Sequence, residues 1–371
     1  MTPGASRPVE RIRSMRKTGG IQRLAAGVTH AYLAISAPEN PLCRLLATLG
    51  RLQPWITRYS FIDRRIIIGN VVQLLMPRCV GWRDALNAVE GTPERRLMAV
   101  HAHPDDESIT TGGLLARCSV EGVVTCLLTC TDGRYGPVNP DLGMALDPAG
   151  LAAVRAEELT AAAHELGVAQ VHRLGYHDSG MTGSSANNAP LAFWNQPVNE
   201  ILALVVAHVR KFQPHVIVSY DPFGGTGHPD HIAAHRITVL AVEAAGEAAM
   251  FPLAGQPWTV SRLVYPVFPL SVMRTFIKKT VGQGEPHPMG GVDAEQINYT
   301  RADEVVTHKV SISGVYERKS AALHQHRTQM GRHYPQLYRS ALARREYEHF
   351  RTAIDRDCPS PWDDIFEPVT Q

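Results

Sequence analysis

From Leu97 onward, the sequence alternates short apolar runs with segments of helical periodicity, and this alternation limits the folds open to the chain. Strands are predicted at the runs RLMAVHA, VVTCLLTC, VHRLGY, HVIVSY and EVVTHKVSI. Helices are predicted near 108–121 and over LAAVRAEELTAAAHELG, VNEILALVVAHVRKF and HIAAHRITVLAVEAAG. Strands that alternate with helices form a mostly parallel sheet covered on both faces, and ligands bind outside the carboxyl ends of its strands. We therefore predict an α/β fold with a site at that edge.

The 371-residue chain divides into three predicted parts. Residues 1–92 are rich in Arg, Leu and Ile at helical spacing, which predicts a helical N-terminal extension packed on the main domain or on a partner. Its basic, amphipathic stretch RYSFIDRRIIIGNVVQLLM leaves loose membrane contact as an alternative. Residues 93–330 are predicted to form a Rossmann-like domain, in which the Pro- and Gly-rich 247–300 segment is irregular and covers the substrate. Residues 331–371 are predicted to be a C-terminal helix and tail.

Charge and cysteine content exclude several classes of protein. Lys and Arg total 37 against 35 for Asp and Glu, and no basic stripe with interleaved aromatic residues is present, so nucleic-acid binding is not expected. The six cysteines form no CxxC pair, which favours a reducing compartment. No charge-free apolar stretch reaches the ~20 residues of a transmembrane helix, and no signal-peptide pattern follows the basic start. We expect a cytoplasmic protein, and leave open whether it forms a homo-oligomer.

Two His-Pro-Asp turns follow predicted strands and begin predicted helices. In VHAHPDDES, Pro104 suits the first helical position, and His103 and Asp106 are three residues apart and can converge on one point. In GGTGHPDHIAAH, His228 and His231 have the same spacing after another strand. Adjacent carboxylates become favourable beside a divalent cation. The two turns together predict one metal site formed by His103, Asp106 and His231.

Three nitrogen and oxygen ligands with an open fourth position are typical of catalytic zinc, which polarises a carbonyl and lowers the pKa of bound water toward ~7. Asp105 is then the carboxylate left to act as general base. His228 is the imidazole left to stabilise an oxyanion or to protonate a leaving amine. These residues meet the needs of metal-assisted amide hydrolysis. Ordinary turn or cap roles are expected for His101, Glu107, His215 and His235.

The motifs AHPDDES and GHPDHIAAH resemble those of the LmbE-like, or PIG-L, zinc de-N-acetylases, and the match covers roughly residues 96–330. This family includes deacetylases of N-acetylglucosaminyl-inositol and of a glycolipid-anchor precursor, and mycothiol-conjugate amidases. The resemblance implies the same zinc ligands and the same base as the spacing does, and it implies His228 as the electrostatic and acid partner. Iron in place of zinc stays open as the native metal. The resemblance also implies that Arg155 contacts the substrate and that Asp178, in YHDSGM, holds sugar hydroxyls.

The sequence departs from the family's pattern in two places. The extension is not part of the family core, and Thr226 stands where the N-acetylglucosaminyl-inositol deacetylases have a tyrosine that assists the oxyanion. Threonine is too short for that contact. We therefore expect either a bulkier substrate or a compensating donor from the 247–300 segment or from His326, with a turn-shaping role for Thr226 as the alternative.

The function predicted first is a zinc hydrolase that removes the acetyl group from an N-acetylated amino sugar or glycoconjugate. An amidase acting on a larger thiol-conjugate amide is the alternative enzyme. A third alternative is a metal-binding partner protein without activity, against which Asp105 and His228 argue, because a structural site needs neither. A dinucleotide-binding protein is excluded because no GxGxxG follows the first strand.

Overall fold

The computed structural model describes residues 94–288, 290–297, 300–330, 346–356 and 365–368. The predicted N-terminal extension lies outside the described residues, as does the 331–345 part of the predicted C-terminal helix and tail. Each described helix is too short or too polar to cross a lipid bilayer.

The described strands form one nine-stranded sheet. They are β1 (Arg96–His101), β2 (Val124–Thr131), β3 (Gln170–Tyr176), β4 (Val216–Val218), β5 (Arg262–Pro269), β6 (Thr300–Arg301), β7 (His308–Ser311), β8 (Tyr347–Asp355) and β9 (Glu367–Pro368). Their order is β3-β2-β1-β4-β5-β8-β7-β9, with β6 beside β5. The neighbouring strands β3, β2, β1, β4 and β5 run parallel, whereas β8 pairs antiparallel with β5 and β7. The predicted fold class is confirmed.

Helices connect and cover the strands. The described α-helices of five residues or more are α1 (Asp106–Thr110), α2 (Gly112–Val120), α3 (Pro148–Leu166), α4 (Val198–Phe212), α5 (Pro229–Gly246), α6 (Leu270–Gly282) and α7 (Tyr316–Gln325). The helix predicted near 108–121 is therefore two helices, which meet at Thr111. Helix α3 begins where the Asp147 side chain accepts from the Gly150 N–H, and it ends at Gly167 in the left-handed conformation.

Two apolar layers lie on opposite faces of the sheet because successive side chains of a strand point to opposite sides. Met98 and Val100 of β1 pack in the layer that contains the buried faces of α4 and α5. Leu97 and Ala99 pack in the other layer, with α2, α3 and α7. Burial on both faces explains why β1 is a continuous apolar run with no alternation.

Two predicted segments differ from the structure. The 247–300 segment is not irregular throughout, since it contains β5, a central strand, and α6. The prolines of RLVYPVFP obscured this strand; Pro266 faces β8, where the ladder is antiparallel. Beyond residue 330, the described residues hold β8 within the main sheet, so the sheet domain extends past the predicted boundary.

Candidate metal centre

Both His-Pro-Asp turns lie at the carboxyl edge of the sheet, next to each other. Strands β1 and β4 are neighbouring parallel strands, and α1 and α5 begin just beyond them. The order β3-β2-β1-β4-β5 reverses between β1 and β4, which is where doubly wound sheets open a ligand crevice. A cavity of about 410 Å³ opens there, lined by all seven predicted site residues: His103, Asp105, Asp106, Arg155, Asp178, His228 and His231.

The three predicted metal ligands converge on one point. His103 Nδ1 lies 3.2 Å from His231 Nε2 and 3.3 Å from Asp106 Oδ2, and the distance from His231 Nε2 to Asp106 Oδ2 is 3.4 Å. Ligand atoms of a tetrahedral zinc site, with bonds of about 2.0–2.1 Å, lie about 3.3 Å apart along each edge. The three donor atoms therefore have the spacing of one face of such a tetrahedron, and the fourth direction opens to the cavity.

Hydrogen bonds on the far side of each ligand orient its lone pair toward this point. His103 Nε2 lies 3.2 Å from Asp230 Oδ2, and His231 Nδ1 lies 3.0 Å from the Gly224 carbonyl oxygen. If each of these nitrogens donates its hydrogen, the other nitrogen of each ring faces the cluster unprotonated. A Cβ at Gly224 would lie 2.8 Å from the His231 Cβ, so the turn needs glycine there. These partners fit the cluster to a divalent cation.

Asp106 is held from two sides by groups that lie two residues past the ends of β1 and β4. Its Oδ2 accepts from the His103 N–H at 2.9 Å and from the Tyr220 hydroxyl at 2.7 Å. The Tyr220 ring also stacks on His231, with centroids 4.2 Å apart and an interplanar angle of 20°. Tyr220 thus contacts two of the three predicted ligands.

A second trio of imidazoles also lies close enough to share an ion, because ring nitrogens of His103, His228 and His231 lie within 4.8 Å of one another. However, His228 Nδ1 accepts from the Asp230 N–H at 3.1 Å, where His228 caps α5. A neutral imidazole whose Nδ1 accepts must carry its hydrogen on Nε2, which leaves no lone pair for a metal. Asp106 therefore suits the third ligand position better than His228 does.

His228 is suited to donating a hydrogen bond into the cavity. Burial lowers the pKa of His228 to about 4, and His103 and His231 act in the same direction. The ring is consequently neutral near pH 7, with an Nε2–H group. The sequence left open whether His228 stabilises an oxyanion or protonates an amine, and this geometry favours the first.

Asp105 lies beside the predicted ligands without joining them. Its Oδ2 is 3.1 Å from Arg155 Nη2. Burial raises the pKa of Asp105 to about 6, although the Arg155 guanidinium acts to lower it. A carboxylate with this pKa is a stronger base than an ordinary aspartate, as a general base requires.

Arg155 and Asp178 both reach the cavity but also contact protein groups. Arg155 donates to the Gly133 carbonyl oxygen at 2.7 Å and to the Pro104 carbonyl oxygen. A Cβ at Gly133, whose φ is 64°, would lie 2.5 Å from Arg155 Nη1. Asp178 Oδ1 accepts from the Gly180 N–H at 2.7 Å and lies 3.5 Å from His103 Nε2. Their roles in substrate binding stay predictions.

Sequence analysis did not predict the contacts that four residues make at or behind the site. They are Glu107, Tyr220, Asp230 and His326. Asp230 was signalled by its place inside the second His-Pro-Asp turn, and Glu107 by the acidic run. Glu107 does more than bond to the helix start: one of its oxygens accepts from the Asp105 N–H, and the other binds His326, which is fully buried. His326 therefore does not face the cavity, and the prediction that it compensates for Thr226 is wrong.

The described part of the 247–300 segment does not supply that donor either. It lines the cavity with Pro266, Val267 and Phe268, whose side chains are apolar. Thr226 also lines the cavity. Arg301, directly after that segment, also lines the cavity and donates to the Asp221 carboxylate.

The fold and this cluster define an α/β protein with a candidate metal site at the switch point of a mostly parallel sheet. The profile of the family described as "PIG-L: GlcNAc-PI de-N-acetylase" matches residues 98–242. A 1D-myo-inositol 2-acetamido-2-deoxy-alpha-D-glucopyranoside deacetylase from Geodermatophilus obscurus is 43% identical over 247 residues, which is 64% of this chain and 84% of that protein. A protein of the same description from Rhodococcus erythropolis is 41% identical over 249 residues, or 64% and 81% of the two chains. The chain belongs to the PIG-L family of de-N-acetylases, as its motifs predicted.

Solved structures share the fold at low sequence identity. An N,N'-diacetylchitobiose deacetylase from Pyrococcus horikoshii superposes with a TM-score of 0.51 at 20% identity, over 82% of this chain and 99% of that chain. A 4-carboxy-2-hydroxymuconate hydratase from Pseudomonas putida superposes with a TM-score of 0.50 at 18% identity, over 72% and 99% of the two chains. Because a hydratase has the same fold, the reaction has to be argued from the site and not from the fold.

Proposed function

We propose that this protein is a zinc-dependent amide hydrolase that removes the acetyl group from an N-acetylated amino sugar, with N-acetylglucosaminyl-inositol as the first substrate to test. The observation that carries the proposal is the tetrahedral spacing of His103, Asp106 and His231 beside two further groups suited to proton transfer and oxyanion binding. When bound by these three residues, zinc would polarise the amide carbonyl and make a water molecule more acidic.

Asp105 takes the proton from the attacking water in this proposal. Its carboxylate lines the cavity next to Asp106, and the ion pair with Arg155 restricts its orientation. After the water has added to the carbonyl carbon, the protonated Asp105 delivers the same proton to the departing amine nitrogen. One carboxyl group therefore serves as base and then as acid, which returns the site to its starting state.

His228 donates its Nε2–H to the amide oxygen as negative charge develops there. The donor is fixed in advance, because the Asp230 N–H holds Nδ1 at the start of α5. A fixed donor of this kind needs no reorganisation during the reaction, and removing one costs roughly 10²–10³ in kcat elsewhere.

The sugar is proposed to lie on the Asp178 side of the cavity. Asp178 is only 3% exposed, and its two oxygens accept from the backbone N–H groups of Gly180 and Tyr135, which fixes the orientation of the carboxylate. A cavity of about 410 Å³ is of the size that encloses a small ligand. The two relatives named above are described as deacetylases of a 1D-myo-inositol 2-acetamido-2-deoxy-alpha-D-glucopyranoside, which is an N-acetylated amino sugar.

The decisive experiment measures acetate and free amine released from N-acetylglucosaminyl-inositol and from a panel of other N-acetyl sugars, by the zinc-loaded full chain. Equal amounts of acetate and amine are expected from at least one sugar. His231→Ala should release neither, whereas the exposed His164→Ala control should match the unsubstituted protein. Binding of metal with no turnover on any amide would instead support a partner protein without activity.

A larger thiol-conjugate amide is the second candidate substrate, and Thr226 is the observation that favours it. Its short side chain lines the cavity, whereas the family resemblance implies a tyrosine at this position in deacetylases of N-acetylglucosaminyl-inositol, and the difference leaves room for a bulkier group. Thr226→Tyr should therefore raise activity on a small N-acetyl sugar relative to a larger conjugate. An equal change on both would leave Thr226 as a residue that only shapes the turn.

A further inference from the structure

Asp105 has a backbone conformation that side-chain-bearing residues rarely adopt. Its φ is 120° and its ψ is −31°, and only two other non-glycine residues in the described part of the chain have positive φ. A β-carbon clashes with the neighbouring backbone in this region, so the conformation persists only where surrounding groups hold it. Strained residues of this kind cluster at functional sites, and Asp105 is the proposed base.

The Glu107 side chain bonds to the backbone of this residue. One oxygen, Oε2, accepts from the Asp105 N–H at 3.0 Å. The other, Oε1, lies 2.7 Å from His326 Nε2 and accepts from the Ser108 hydroxyl at 2.5 Å. The carboxylate therefore fastens the strained turn to the end of α7, 219 residues away in sequence at His326.

Neither Glu107 nor His326 can touch a substrate. Both are 0% exposed, and neither lines the cavity that Asp105 and Asp106 face. A buried carboxylate is unfavourable unless its oxygens are paired, and here the pairs lead to Asp105 on one side and to His326 on the other. The arrangement explains the third carboxylate of the acidic run, which the metal does not need.

We propose that Glu107 and His326 form a positioning pair that keeps the Asp105 carboxylate turned toward the scissile amide. The inference rests on the proposed role of Asp105 as base. Without the Glu107 contact, the Asp105 backbone relaxes to negative φ and its carboxylate moves away from the cavity. Asp106 is fastened separately, by the His103 N–H and the Tyr220 hydroxyl, so the metal site survives.

Glu107→Asp tests this, because a side chain one carbon shorter keeps the charge but cannot reach the Asp105 N–H and His326 together. We expect kcat for acetate release to fall about tenfold to a hundredfold, as misplaced catalytic groups do, with KM and zinc per chain little changed. The matched control is Glu348→Asp. Glu348 is also buried, and it binds Lys319 and the N–H groups of Gly113 and Leu114, with no contact to Asp105. It should lose stability without the loss in kcat.

A double-mutant cycle with Asp105→Asn separates positioning from general damage. If Glu107 acts through Asp105, adding Glu107→Asp to Asp105→Asn lowers kcat by no more than about twofold further. A twofold change is the usual deviation from additivity in such cycles, so it counts as no further loss. Glu107→Met serves in the same cycle should Glu107→Asp not fold. Four outcomes would each overturn the proposal. The kcat losses of the two substitutions could multiply in the double variant, or the Glu107 variant could lose zinc. Glu348→Asp could lose as much kcat as Glu107→Asp, or a folded Glu107 variant could keep its kcat unchanged. Full activity of Asp105→Asn alone would instead refute the proposed function.

Discussion

Tyr220→Phe removes one hydroxyl beside the candidate metal site and leaves the cavity lining otherwise intact. That hydroxyl donates to Asp106 Oδ2 at 2.7 Å and accepts from the Ala102 N–H at 2.8 Å. The phenyl ring can still stack on His231, where the tyrosine ring now lies 4.2 Å away. The substitution therefore tests the hydrogen bonds alone.

The magnitude follows from what each partner loses. A hydrogen bond to a charged carboxylate is worth about 1.5–3 kcal/mol, and a buried N–H left without an acceptor costs about 1–3 kcal/mol. The two overlap, since one hydroxyl makes both, and we expect the free energy of unfolding to fall by about 2–4 kcal/mol. Loss of a partner that orients a ligand weakens metal binding about 10–100-fold.

The assay is the zinc Kd of Tyr220→Phe from competition with a chelator, together with thermal unfolding of the zinc-free and zinc-loaded protein. Tyr265→Phe is the control, because Tyr265 is also buried in the sheet but does not line the cavity. Its zinc Kd should equal that of the unsubstituted protein. If Tyr220→Phe has the zinc Kd of the unsubstituted protein and full zinc occupancy, then Asp106 does not need the Tyr220 hydroxyl in order to bind zinc.

The other predictions concern the site residues directly. His231→Ala should lose zinc, measured by elemental analysis, and with it all turnover; normal occupancy would exclude His231 as a ligand. Asp105→Asn should keep zinc and lose most of kcat, because an amide does not accept the water's proton; loss of zinc instead would mean that the two aspartates have exchanged roles. Asp178→Ala should raise KM for the sugar at constant zinc content, and unchanged kinetics would leave Asp178 without a substrate role. Removing zinc from the unsubstituted protein with a chelator should abolish acetate release, which added zinc restores.

Much of the fold could be predicted from local patterns. The α4 boundaries over VNEILALVVAHVRKF and the end of α3 at Gly167 follow from apolar periodicity and a glycine stop, both of which act within a few residues. Strand β5 was missed because prolines interrupt its apolar run, and its place between β4 and β8 is set by distant pairing. Strand β8 was also missed, because its pairing partners β5 and β7 lie far away in sequence.

The sequence by itself determined which residues are candidate metal ligands and that the two turns carrying them lie close together. Each His-Pro-Asp turn couples a strand end to a helix start, so the spacing of His103 and Asp106, and of His228 and His231, carries local geometry. The rule that parallel strands end at one edge then brings the two turns together. No contact between the turns had to be known in advance.

Tertiary structure alone decided how those side chains are held and which atoms are left to react. Tyr220 reaches Asp106 across 114 residues of sequence, and His326 reaches Glu107 across 219. Such contacts have no local signature, because a tyrosine or histidine at those positions reads equally well as a core or surface residue. The proposed role of His228 as donor likewise depends on its Nδ1 capping α5, which fixes the hydrogen on Nε2. Protonation and orientation are properties of packed neighbours, and these become defined only when distant segments fold against one another.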